Sequence, residues 1–169
     1  MTLDDICKTA IAPAFELLPQ KMHTAQAVVE MLAIQLQEAP NQEQRQIGGP
    51  AVGIWQFEKN GGIRGVLRHP ASRPHAVKAL KALGIAPNET AVYAAMTSRD
   101  DVLDALFARL LLWTDSLPLP PVGDVAGAWE LYLRTWRPGA WSRGSEKQKA
   151  ALRQKWSINY ARAMDQVLS

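Results

Sequence analysis

Apolar residues return every three or four positions along most of this chain, and prolines and glycines cut that pattern into pieces of helical length. Val28, Met31, Leu32 and Leu36 form one stripe, and Val102, Leu103, Leu106, Leu110 and Trp113 form a second, stronger one. This spacing puts side chains on one face of an α-helix, whereas a half-buried strand needs strict alternation, which no stretch sustains. The punctuation agrees. Thr24 can cap a helix that Pro40 ends, Ser72 and Pro74 open one that Gly84 closes, Asn88 opens another, and Ser98 followed by Asp101 reads as a capping box for the apolar helix after it. A helix from about Asp124 to Trp136 is stopped by Arg137-Pro138-Gly139, and Ser145-x-x-Gln148 is a capping box for a last helix carrying Leu152, Trp156, Ala163 and Val167 inward. Near the start, residues 2 to about 18 read as a helix that Pro13 kinks or splits. The expectation is an all-α protein, a single helical domain over residues 1–169 with seven or eight helices and no internal repeat.

Composition removes several classes of function. With 47% hydrophobic and 21% charged residues, extended disorder is not expected. No apolar run approaches the roughly 18 residues that span a bilayer, so the chain is not expected to be an integral membrane protein. The opening MTLDDICKTA carries two aspartates and lacks the basic-then-apolar order of a Sec signal peptide. The single cysteine, Cys7, excludes an intrachain disulfide and reads as a small hydrophobe. His23, His69 and His75 form neither HExxH nor HxH, and no phosphate-binding GxxxxGK[ST] or GxGxxG occurs, so neither a metal nor a cofactor is expected. A nucleic-acid-binding reading has only the +3 net charge behind it and is set aside. Lys147, Lys149, Arg153, Lys155 and Arg162 in the last helix read as a solvated face. Six tryptophans (Trp55, Trp113, Trp129, Trp136, Trp141, Trp156) suit either core packing or stacking against sugar rings.

One arrangement carries chemistry. Ala33-Ile34-Gln35-Leu36-Gln37-Glu38 ends an apolar helix with a carboxylate, a polar glycine-bearing loop follows, and Gly53-Ile54-Trp55-Gln56 reads as a close turn beginning another apolar helix. Gly53 lies 15 positions and Gln56 lies 18 positions after Glu38. A helix C-terminus disfavours negative charge, and apolar neighbours such as Ile54, Trp55 and Phe57 would strip water from the carboxyl. Both effects raise its pKa toward the range where it stays protonated and can donate. The Gln56 amide can orient that acid or hold a sugar substituent.

The segment Ala33 to Gln56 resembles the lytic transglycosylase branch of the lysozyme-like superfamily. That branch carries Glu-Ser at a helix end and Gly-Leu-Met-Gln starting the next helix; Glu38, Gly53 and Gln56 match it, with Ile54 and Trp55 in place of Leu and Met and Ala39 in place of Ser. The stretches Arg45 to Glu58 and Ala128 to Gly139 are also similar to phage and prophage proteins of this fold. The resemblance implies a lysozyme-like helical domain, Glu38 as the catalytic acid and base, and Gly53, Trp55, Gln56 and Glu58 around the substrate. It also implies Tyr132 as the tyrosine that a late helix supplies near the acid. The implied reaction cleaves the β-1,4 bond between N-acetylmuramic acid and N-acetylglucosamine in peptidoglycan and closes a 1,6-anhydro ring. A two-carboxylate lysozyme would instead recruit Glu58 or Glu43.

Two functions from different classes follow. In one the chain is a peptidoglycan-cleaving, phage-type enzyme whose partner is the glycan strand, with release through a holin or delivery within a virion. In the other it is a noncatalytic virion or cell-wall-binding protein on the same scaffold. The expected location is the phage virion, or the host cytoplasm before release to the wall.

Overall fold

A computed structural model describes residues 1–42 and 48–169, and among these the regular structure is all helical apart from one isolated antiparallel bridge, Val52 to Phe57. The first helical stretch comprises α1 (Leu3–Ile6), a wider turn (Cys7–Ile11) and α2 (Ala12–Glu16). Pro13 brings no N–H, and the chain answers by loosening the turn just before it rather than breaking, so the expected disruption is a local widening. Next come α3 (Ala25–Glu38), α4 (Arg64–Arg68), α5 (Arg73–Leu83), α6 (Glu89–Thr97) and α7 (Asp101–Trp113), then α8 (Val125–Trp136), α9 (Gly139–Ser142) and α10 (Glu146–Leu168).

Most caps fall where the sequence puts them. Thr24 Oγ1 accepts from Ala27 N, Asn88 Oδ1 accepts from Ala91 N, Gly84 ends α5 in the left-handed region at φ 71°, and Ser145 with Gln148 forms a reciprocal capping box. At α7 the residue is different: Asp100 caps it by accepting from Leu103 N, while the Ser98 hydroxyl donates back to the Ala94 carbonyl. An aspartate one turn before the apolar run makes the stronger cap, which the Ser98–Asp101 spacing hides. The single turn α9 is also absent from the sequence pattern, which reads Arg137-Pro138-Gly139 only as a stop.

α7 is the central helix. Residues 103 to 112 are all buried, and α3 is buried along nearly its whole length. A single apolar core joins these two helices to Ile6, Phe15 and Met22, to Ile54 and Phe57, and to Trp129 and Trp156. Each fully buried aliphatic side chain contributes about 1.5–3 kcal/mol, so helices this short are held by packing more than by intrinsic propensity. α10 lies along α3 and α8 crosses beside it, which sets the C-terminal end of α3 against aromatic side chains from both. No helix of the described residues is long and apolar enough to cross a membrane.

Candidate functional site

The last turn of α3 is clamped by α10. Exposed carbonyls at a helix C-terminus need donors, and Lys155 Nζ donates to the Gln37 carbonyl at 2.9 Å. The Gln37 side chain is held between Asn159, whose Nδ2 donates to its Oε1 at 2.9 Å, and the Leu152 carbonyl at 3.2 Å. Gln35 closes the end from within, its Nε2 donating to the Ala39 carbonyl at 2.8 Å. The basic side of α10 is therefore more than a solvated face: Lys155 is a helix cap, while Arg153 and Lys149 lie over the rings of Trp129 and Trp141. A cation that neutralises a helix end leaves no periodic trace in its own helix, so sequence spacing misses it.

Glu38, at the end of this fixed turn, is half-buried and borders an open cleft. The Tyr132 hydroxyl donates to its Oε1. Tyr132 comes from α8 and is itself buried, its ring stacked on Trp156 with centroids 5.1 Å apart and planes 12° from parallel. Burial pushes the Glu38 carboxyl above the ordinary carboxylate range; the Tyr132 hydrogen bond and the Lys155 charge pull it partway back, and Glu58 adds a small push upward. Burial and the neighbouring Glu38 drive the Tyr132 phenol far above its ordinary value, so it remains a donor. With Tyr132 on Oε1, Oε2 is the oxygen left to carry an acidic proton.

Gly53 to Gln56 forms a tight turn and not a helix start, which corrects the sequence expectation. Val52 and Phe57 exchange backbone hydrogen bonds of 2.9 and 2.8 Å across it. Gly53 sits at φ 77°, and a Cβ there would run into the Asp104 carboxyl from α7. Asp104 Oδ2 accepts the Ile54 N–H at 3.2 Å, so the turn is pinned from below. Gln56 itself adopts φ 54°, an uncommon backbone state for a residue with a side chain. Its Nε2 donates to the Gly53 carbonyl at 2.9 Å and folds the amide over its own turn. Trp55 is fully buried, its Nε1 donating to the Met31 carbonyl at 2.7 Å. No face of that ring is open to a sugar, so the stacking option for Trp55 gives way to its core option.

The cleft has a volume of about 1050 Å³ and brings Glu38, Gln56, Glu58 and Tyr132 onto one surface. Gly53 and Trp55 do not line it; they support it from beneath, and Glu43 lies outside the described residues. Sequence reasoning missed two features of the lining. Trp136 sits one helical turn after Tyr132, lines the cleft, and donates from Nε1 to the Trp55 carbonyl at 2.9 Å, locking α8 to the turn. Its i, i+4 relation to Tyr132 was the available signal. Gly61, Gly62 and Gly65 line the cleft as well, and a Cβ on Gly62 would come within 2.7 Å of Phe57 Cδ1. Among the described residues no group of His, Cys, Asp or Glu side chains is arranged to hold a metal. Comparison with family models, curated proteins and solved structures gave no match.

Proposed function

We propose that this chain cleaves peptidoglycan glycan strands as a phage-type lytic transglycosylase, with Glu38 as the general acid and base. The observation that carries the reading is a half-buried carboxyl, hydrogen-bonded by Tyr132, lining a cleft large enough for sugar rings. In the first step Oε2 of Glu38 donates its proton to the glycosidic oxygen as the C1–O bond breaks, and the substrate's acetamido oxygen stabilises the cationic C1. The carboxylate that remains is held by the Tyr132 hydrogen bond and by the Lys155 charge nearby. In the second step it removes the proton from the muramoyl 6-hydroxyl, whose oxygen bonds to C1 and closes the 1,6-anhydro ring. Glu38 ends protonated, as it began, and no water is consumed. Only one carboxylate is required, in keeping with Glu58 being an exposed residue at the cleft edge. Trp136, half-buried in the lining, takes the sugar-stacking role considered for Trp55.

Digestion of purified peptidoglycan, followed by mass spectrometry of the products, tests the reading. Wild type should release 1,6-anhydromuropeptides and Glu38→Gln should release none. Reducing-end products that depend on Glu38 would point to a hydrolase using Glu58. A folded wild type that binds peptidoglycan and cleaves none would leave the noncatalytic virion or cell-wall-binding role, on which the replacement of the family serine by Ala39 bears directly.

A further inference from the structure

The cleft holds more cationic charge than the proposed bond cleavage uses. Three arginines line it, Arg134, Arg137 and Arg143. Arg134 is spent on Asp115, to which it makes two hydrogen bonds of 2.9 Å. Arg137 and Arg143 form no ion pair among the described residues, and both are exposed. The acids that share the lining are Asp115, already paired, Glu38, whose carboxyl burial biases toward the neutral form, and Glu58; His69 and the Tyr132 phenol, held in its neutral form, are the remaining titratable side chains there.

Both arginines sit on the short stretch that follows α8, and both line the cleft. Arg137 ends α8 in the left-handed region at φ 47°, a state uncommon for a residue with a side chain, and its Nε donates to the Arg134 carbonyl at 3.3 Å. The single turn α9 then folds back, with Arg143 N donating to the Gly139 carbonyl at 2.9 Å. The Arg143 guanidinium lies so close over Gly139 that a Cβ at that glycine would displace it. Arg137 and Arg143 thus stand before and after the single turn α9, and both line the cleft that holds Glu38.

In intact peptidoglycan the lactyl carboxyl of each muramic residue is taken up in the amide to the stem, so the glycan backbone itself is uncharged and offers these arginines no ionic partner. Peptidoglycan carries its negative charge on the peptide stem attached to the lactyl group of the muramic residue, which has several free carboxylates. Guanidinium matches a carboxylate in both geometry and charge. We infer that Arg137 and Arg143 form a carboxylate-binding subsite that recognises the peptide stem and selects stem-bearing over stripped glycan. This inference rests on the reading of the cleft as a peptidoglycan site, and it concerns recognition and not the bond cleaved.

The test compares two substrates: glycan strands with stems intact, and the same strands stripped of stems by an amidase and then coupled to methylamine, which caps as neutral amides the lactyl carboxylates that the amidase frees. Arg137→Gln and Arg143→Gln, separately and together, are assayed for kcat/KM on each. The expected result is a loss of about tenfold or more on stem-bearing strands, carried by KM, the scale of one charge-assisted hydrogen bond, with stripped strands cleaved as by wild type. Equal losses on both substrates, or no loss on either, overturn the inference. Binding separates this outcome from failure of the proposed chemistry. Glu38→Gln, with and without the arginine changes, is titrated with both kinds of strand and with N-acetylmuramyl dipeptide. Stem-dependent binding that weakens with the arginine changes upholds the subsite even if wild type cleaves nothing, and binding indifferent to the stem or to the arginines refutes it.

Discussion

Among the described residues three carboxyls, Glu38, Glu30 and Asp104, sit in dry surroundings, and they meet different ends. Glu38 borders the cleft, shares a hydrogen bond with Tyr132 and feels the Lys155 charge. Glu30, two turns earlier on α3, and Asp104, on the central helix, are buried in the interior, where each leaves one oxygen without a hydrogen-bond partner. Burial drives the pKa of both far upward. A raised pKa is thus common to all three and does not by itself mark a proton donor. Each also has a partner that favours its charged form, Arg134 for Glu30 and the Ile54 N–H for Asp104, so what separates Glu38 is its access to the cleft, where it can both give and regain a proton. Asp104 serves another purpose, since its Oδ2 fixes the Gly53 turn on which Gln56 is displayed.

The largest effect expected from this contrast is at Glu38. Glu38→Gln keeps the size of the side chain and its acceptor for Tyr132 but removes the proton, so peptidoglycan cleavage should fall by about 10²–10⁴-fold or more. Thermal stability should stay close to wild type, because the lost group faces the cleft. Measuring product release beside a melting curve checks both halves. Cleavage that survives in this variant would erase the distinction drawn between Glu38 and the interior carboxyls.

Second in size is the turn itself. Gly53→Ala places a Cβ against the Asp104 carboxyl and strains a backbone at φ 77°, together worth roughly 2–4 kcal/mol of stability. Asp104→Asn keeps an acceptor for the Ile54 N–H and should be clearly more stable than Asp104→Leu, which removes it. Denaturant melts of the three variants rank the contributions. If the leucine variant matches the asparagine one, the turn is not held through Asp104.

The interior carboxyls also predict how stability follows pH. Their folded pKa values are raised, so below the ordinary carboxyl range near 4 both folded and unfolded states are protonated and nothing is lost. As pH climbs above that range the unfolded chain ionises freely while the folded one resists, and stability falls. Glu30→Gln and Asp104→Asn should flatten this decline, with a gain over wild type that is largest at alkaline pH and vanishes near pH 4. Urea melts at a series of pH values read this directly, and a gain that is equally large in acid would mean the cause is packing and not ionisation.

Much of this arrangement is legible in the chain before folding, and the boundary has a physical cause. The helices, the Thr24, Asn88 and Ser145 caps, and the Glu38–Gly53–Gln56 spacing are local patterns, each set by residues within a turn or two or along one loop. Four of the features that escaped depend on contacts between distant segments. Trp55 is buried because α3 offers the Met31 carbonyl to its indole; Lys155 caps a helix 118 positions away; Asp104 meets Gly53 from across the core; Trp136 reaches the cleft because α8 is tied to the Trp55 carbonyl. A one-dimensional pattern names the residue types and leaves their partners open.

The smallest predicted change sharpens the account of Glu38 most. Its Tyr132 hydrogen bond lowers a carboxyl pKa that burial raises, so the two act in opposition. Tyr132→Phe removes the hydroxyl while keeping the ring stacked on Trp156, so the fold should hold. Without that donor the Glu38 carboxylate is less stabilised and the pKa must rise. The alkaline limb of the kcat/KM profile, which reports loss of the acidic proton, should then move to higher pH. The plateau should drop by about tenfold, on the scale of one charge-assisted hydrogen bond, because the carboxylate formed after the first proton transfer has lost its partner. A limb displaced toward lower pH would mean that Tyr132 favours the protonated acid, reversing the division of labour between burial and hydrogen bonding on which the comparison with Glu30 and Asp104 is built.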